Sequence, residues 1–79
     1  MKQVSIYSTP SCTYCRMAKE FFKEHKISYE EFDVAADPVK RAEMVEMTGQ
    51  LGVPVIKIDN TLMVGFNRMK VSELLDVEN

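Results

Sequence analysis

Val4-Ser5-Ile6-Tyr7-Ser8-Thr9-Pro10-Ser11-Cys12-Thr13-Tyr14-Cys15 is the stretch from which the rest of the sequence is best read. Its first five residues alternate apolar and polar with a β-branched bias, which predicts a strand over Val4 to Ser8. Pro10 lacks an amide hydrogen and drives Thr9 toward an extended shape, so the strand ends there. Ser11 or Cys12 then opens a helix. Met17, Ala18, Phe21 and Phe22 recur at helical spacing up to about His25, giving that helix one buried face.

Outward from this stretch, Ile27 to Val34 reads as a second strand with Tyr29, Phe32 and Val34 as its apolar members. Asp37-Pro38 is a helix start, an acidic cap followed by proline at the first helical position. Val39, Ala42 and Val45 supply the expected inward stripe, and Gly49 the stop. A strand is predicted from Val53 to Ile58, beginning with a proline where a missing donor is tolerated. Asp59-Asn60 turns the chain and Thr61 to Val64 returns as a hairpin. Asn67 caps a last helix with Val71, Leu74 and Leu75 as apolar positions. The order is β-α-β-α-β-β-α. Strand-helix-strand alternation implies a right-handed crossover and a parallel pair, and the hairpin adds antiparallel strands. The expected class is α/β, a four-stranded mixed sheet with helices on its faces, residues 1–79 forming one domain.

Composition narrows the function. The chain has 79 residues, 46% hydrophobic and 28% charged, a globular balance that excludes a disordered tail or a fibre. No apolar run approaches the ~20 residues that span a bilayer, and no signal-peptide core follows Met1, so a soluble, cytoplasmic protein is expected. Ten basic and twelve acidic residues give a net charge of -2, which argues against polyanion binding and nucleic-acid partners. Residues 1–28 nevertheless hold five basic and two acidic side chains, and that positive excess surrounds Cys12 and Cys15, the two cysteines of the sequence. The acidic stretch Glu30-Glu31-Phe32-Asp33 reads as a solvated strand edge that discourages aggregation. The scattered methionines, among them Met44, Met47 and Met63, read as gap-fillers. Tyr7 and His25 read as structural.

Two cysteines three residues apart close a tiny loop that restrains the unfolded chain little, so the pair reads as chemistry rather than scaffolding. On a helix, positions i and i+3 lie roughly 5–6 Å apart, within the Cα range of a disulfide, so dithiol and disulfide interconvert with little backbone movement. At the helix start, unpaired amides and the helix dipole favour a thiolate at Cys12, and Arg16 and Lys19 add charge of the same sense. Cys15, one turn further in, is expected to be more buried and to stay protonated longer. Cys12 is therefore the expected nucleophile toward an external disulfide, and Cys15 the group that resolves the mixed disulfide. A zinc site needs four ligands, and His25 is the sole other candidate, so a metal or cluster would have to be bridged by two chains. That non-enzymatic module is the alternative from a different class.

Ser8 to Cys15, Gly52-Val53-Pro54 and Gly65-Phe66 together resemble a glutaredoxin, within the thioredoxin superfamily, and the likeness spans essentially the whole chain in order. It implies a thioredoxin-like fold, thiol–disulfide oxidoreductase activity and no tightly bound cofactor or metal. Cys12 would be the nucleophile and Cys15 the resolving thiol. Local sequence alone favours a trans Pro54 that merely starts a strand; the resemblance implies a cis bond instead. It further implies a groove for glutathione as co-substrate, mapping onto Tyr14, Val53, Pro54, Gly65, Phe66 and Asn67, with Arg41 placed to meet a glycine carboxylate. Phe66 could equally cover core or meet a partner protein. Two departures stand out. Thr13 replaces a common proline between the cysteines, and Gly65-Phe66-Asn67-Arg68 replaces Gly-Gly-acid, removing the side chain that usually meets the γ-glutamyl ammonium. Gly65-Phe66 and Arg68 are similar to redoxins that thioredoxin reductase reduces and that supply ribonucleotide reductase. Glutathione or thioredoxin reductase is thus the expected reductant, disulfide-bearing proteins the expected substrates, and the chain is expected to be a monomer.

Overall fold

In the computed structural model, which describes residues 2–77, strand β1 is Val4–Ser8 and helix α1 Thr13–Glu24. Then follow β2 (Glu30–Asp33), α2 (Pro38–Thr48), β3 (Val55–Ile58), β4 (Thr61–Val64) and α3 (Arg68–Leu75), the element order expected from the sequence. The sheet runs β2-β1-β3-β4. β1 and β2 are parallel, with Ile6 opposite Glu31 and Tyr7 opposite Phe32. β3 lies antiparallel to both β1 and β4.

Alternation along β1 divides the core in two. Val4 and Ile6 face α1 and α3, packing with Ala18, Phe21, Phe22, Ile56, Ile58 and Val71. Tyr7 faces the other way, toward α2, with Val34, Val55 and Met44. Phe21 and Phe22 are almost wholly buried and meet edge to face at 6.2 Å, so each contributes about 1.5–3 kcal/mol of burial. Because β1 is central and ends at Ser8, its last residue fixes where the Thr9-Pro10-Ser11 turn and the start of α1 must lie.

Four sequence expectations shift. Met17, expected on the buried face of α1 with Ala18, Phe21 and Phe22, is 45% exposed, and Cys15 takes the buried place instead. β2 is shorter than Ile27 to Val34, because the chain is still completing the end of α1: Ile27 donates its N–H to Phe22 O at 2.8 Å, and Lys26 is left-handed at φ 56°. Val34 lies outside the strand yet donates to Ser8 O at 2.9 Å. β3 begins two residues late, at Val55 rather than Val53. The largest change is the face of α2. Asp37 caps it and Gly49 ends it at φ 73°, as expected, but Val39 is 71% exposed and Ala42 is exposed. Met44 is the fully buried residue, and Met47 packs beside it. Lys40 lies 4.2 Å over the Phe32 ring and Glu43 accepts the Tyr7 hydroxyl at 2.7 Å, so two charged residues occupy the sheet side. A long lysine stem covers an aromatic face while its charge reaches water, which leaves room for an unbranched methionine to fill the gap.

Candidate active site

The turn after β1 holds Cys12 through its backbone. Its N–H donates to Thr9 O at 3.2 Å, and its C=O accepts from Arg16 N–H at 3.2 Å, the first turn of α1. Cys12 is the N-cap, extended at φ -86° and ψ 111°, and its sulfur accepts the Cys15 N–H at 3.1 Å. The first turn contains no acidic residue. Sulfur thus takes the place a serine or aspartate oxygen usually holds at a helix start, where the amides and the helix dipole favour negative charge. Cys15 is fully buried while Cys12 is half-buried. The two sulfurs are in contact as a disulfide, with Cα atoms 5.2 Å apart, the separation anticipated from the spacing.

Beside the dithiol lies a groove of about 350 Å³ lined by Tyr14, Val53, Pro54, Gly65 and Phe66. Five of the sequence-selected residues therefore share one surface. The Val53-Pro54 bond is cis, as the resemblance implied and against the local sequence reading. Gly65, at φ 88°, donates its N–H to Pro54 O at 2.7 Å, tying the turn before α3 to the groove floor. A side chain would strain that left-handed turn. Phe66 does both things the sequence allowed, meeting Phe21 edge to face at 5.9 Å while walling the groove.

The other selected residues stand apart. Asn67 caps α3, accepting Lys70 N–H at 3.1 Å, so its side-chain oxygen is already bonded. Arg41 is exposed on α2 and does not line the groove. Arg68 turns back over α1, its guanidinium 4.9 Å above the Phe21 ring and 3.6 Å from Glu24. Sequence reading missed Gln50. Its amide brackets Gly52, accepting the Gly52 N–H and donating to Gly52 O at 3.2 Å, and so shapes the approach to Val53. A glutamine two residues before the Gly-Val-Pro run was the available signal. A hollow of about 440 Å³ lined by Lys2, Lys26, Ile27, Ser28 and Leu75 lies at the other end of β1, away from the sulfurs.

Charge near the dithiol also differs from expectation. Lys19 was expected to add positive charge at Cys12; instead its ammonium sits 2.7 Å from Glu31, which also accepts the Ser8 hydroxyl at 3.0 Å. The Lys19 ammonium holds the Glu31 carboxyl below the usual carboxylate range. On the opposite face, burial and then the bond to Glu43 push the Tyr7 hydroxyl up to about 12.

A capped, half-buried sulfur, a buried partner one turn on and a flanking groove define a thiol–disulfide exchange centre on a thioredoxin-like scaffold. Residues 4–63 match the sequence model of the glutaredoxin family. The chain is 41% identical over 73 residues, 92% of its length and 97% of the relative, to an uncharacterized glutaredoxin-like 8.6 kDa protein in the rubredoxin operon of Clostridium pasteurianum. It is 31% identical over 71 residues, 90% of its length and 97% of the relative, to the glutaredoxin-like protein NrdH of Lactococcus lactis. Among solved structures, a variant of a thioredoxin-like protein superposes with a TM-score of 0.90 at 35% identity, covering 99% of this chain and all of the other. The chain belongs to the glutaredoxin family: it is a small thiol–disulfide oxidoreductase with Cys12 and Cys15 as its redox-active pair. No helix among the described residues is long and apolar enough to cross a membrane.

Proposed function

We propose that this oxidoreductase reduces protein and glutathione mixed disulfides, with Cys12 as nucleophile, Cys15 as resolving thiol and glutathione as the reductant. The Cys12 thiolate attacks one sulfur of the substrate disulfide; the S–S bond breaks and the first substrate thiolate leaves and takes up a proton. Cys15 then gives up its proton and attacks Cys12 sulfur, expelling the second substrate thiol and leaving the intramolecular disulfide. Two glutathione molecules return it to the dithiol and leave as glutathione disulfide. The observation that carries the assignment is the N-cap: Cys12 sulfur accepts an amide hydrogen at the positive end of α1 while Cys15 is fully buried.

The adjoining groove supports peptide-like occupants. Among the described residues, the main-chain N–H and C=O of Val53 have no hydrogen-bond partner, so an extended substrate would pair there as an added strand. Tyr14 and Phe66 would flank it, Gly65 allows close approach, and Arg41 and Asn67 remain proposed only as outer contacts. We also take residues 1–79 as one domain, acting as a monomer in the cytoplasm, in keeping with its lack of a multi-bridge cysteine framework.

A second reading has its own observation. Arg68 takes the sequence position of the acid that would meet the γ-glutamyl ammonium, its own guanidinium turned to Glu24, and the Asn67 oxygen is already bonded. That favours thioredoxin reductase as electron source and a reductase enzyme such as ribonucleotide reductase as acceptor, and the NrdH relative is consistent with it. Reducing the oxidised chain with glutathione plus glutathione reductase, and separately with thioredoxin reductase, tests both. Faster turnover with glutathione supports the first reading and faster turnover with thioredoxin reductase the second. Turnover with neither refutes both.

A further inference from the structure

Lys19, Glu31 and Ser8 form a cluster that the exchange chemistry described above does not use. Ile6 and Glu31 are paired residues of parallel strands, and Ile6 packs against α1, so Glu31 rises from β2 on the α1 side of the sheet. Ser8, two residues beyond Ile6, is buried on that same side and is the last strand residue before the active-site turn. Its hydroxyl donates to Glu31 at 3.0 Å, and the Lys19 ammonium lies 2.7 Å from the same oxygen. Lys19 is one turn beyond Cys15, four residues on, which places the two side chains on one stripe of the helix.

We propose that Lys19, Glu31 and Ser8 are a charge-balancing cluster that sets the redox potential of the dithiol, Glu31 cancelling the attraction that Lys19 exerts on an anionic sulfur. The inference deepens the dithiol reading and rests on it. In the disulfide the sulfurs carry no charge; in the reduced pair one sulfur is anionic. A cation nearby therefore stabilises the reduced form, and an anion nearby the oxidised form. The Ser8 hydroxyl anchors the carboxylate at the end of β1 that leads into the active-site turn, so the anion stays with the cation.

The surrounding charges leave this pair as the adjustable element. Arg16 on α1 is exposed, and Lys23 acts on Glu31 more weakly than Lys19 does. Asp33, opposite Ser8, accepts the Ala35 and Ala36 N–H groups in its own turn. Glu31, held in the anionic form by Lys19, keeps its charge across the neutral range. Lys19 and Glu31 are 25% and 38% exposed, a pair that contributes little to folding, so variants of it retain the fold.

The test equilibrates the full chain with dithiothreitol redox buffers at neutral pH and counts reduced chains by alkylation and mass. Glu31→Gln frees the cation and is expected to move the equilibrium about three- to tenfold toward the dithiol, tenfold corresponding to ~30 mV. Lys19→Gln leaves the carboxylate unopposed and is expected to move it by a similar factor toward the disulfide. The double variant is expected within about twofold of wild type. Opposed signs with restoration separate charge balance from structural support, since a loosened helix would displace both single variants the same way. Shifts in one direction, or below twofold in both, would overturn the proposal. A wild-type chain without a dithiol–disulfide midpoint would overturn the redox-pair assignment itself, and the tuning with it.

Discussion

Replacing Cys12 by serine and by alanine separates what its sulfur does for the helix from what it does for the reaction. The sulfur accepts the Cys15 N–H at 3.1 Å, one of the four amides that the first turn of α1 leaves without an internal partner. Serine is among the preferred residues at this position, and its hydroxyl oxygen would accept the same hydrogen. Alanine would leave the amide to solvent at a loss of about 1 kcal/mol, within a range of about 0.5–2 kcal/mol for lost caps. A chain of 79 residues has a total stability of about 4–12 kcal/mol, so the loss is measurable. In a domain of this size it lowers the melting temperature by about 4–8 °C. The assay is urea and thermal unfolding in excess dithiothreitol, which removes the disulfide from the comparison. Cys12→Ser is expected to match the reduced wild type or slightly exceed it, and Cys12→Ala to unfold about 1 kcal/mol earlier. Both variants are expected to lose exchange with small disulfides entirely. Equal stability of the two would refute the cap in the reduced protein, and exchange above the uncatalysed rate in Cys12→Ser would refute the nucleophile.

Cys15→Ser is expected to form a stable mixed disulfide with glutathione or a protein substrate, detected as a mass adduct that reductant removes; a variant that turns over dithiol-dependent substrates at the wild-type rate would contradict the resolving role. Met44→Ala removes a fully buried side chain and is expected to lower stability by about 2–5 kcal/mol in denaturant unfolding, whereas Val39→Ala, at a position 71% exposed, is expected to stay within about 0.5 kcal/mol of wild type. Tyr7 titrates near 10 when unfolded and at about 12 when folded, so its contribution is full below pH 10 and is lost as pH rises toward 12. The alkaline unfolding limb over that interval is expected to flatten in Tyr7→Phe, and an unchanged slope would show that the hydroxyl is not the titrating group.

Local signals were enough for the element order and for the dithiol. Pro10, the Asp37-Pro38 and Asn67 caps, Gly49 and the Asp59-Asn60 turn act through the backbone within a few residues, so their effects are written in neighbouring letters. The i, i+3 cysteine spacing belongs to the same class, because helix geometry alone sets the 5.2 Å between the Cα atoms. The face of α2 was not legible. Helical periodicity offered Val39, Ala42 and Val45 as one apolar stripe, but a second arrangement, with Lys40 over Phe32 and Met44 beneath, was decided by which aromatic β2 presented across the gap. The charge at Cys12 was misread for a related reason. Lys19 and Glu31 are twelve residues apart in the chain and meet only because β2 lies parallel to β1 under α1.

By itself, then, the sequence determined the order of strands and helices, the helix start that carries Cys12 and the pairing of Cys12 with Cys15, since each depends on backbone geometry over one or two turns. That Val53, Pro54, Gly65 and Phe66 share a groove with Tyr14 followed from the family resemblance and not from local pattern, and only the tertiary structure decided that Arg68 is drawn away to Glu24 and Phe21 and that Lys19 is matched by Glu31. Those outcomes depend on contacts between elements far apart in the chain, where packing volume and charge pairing choose among partners that local propensity does not distinguish.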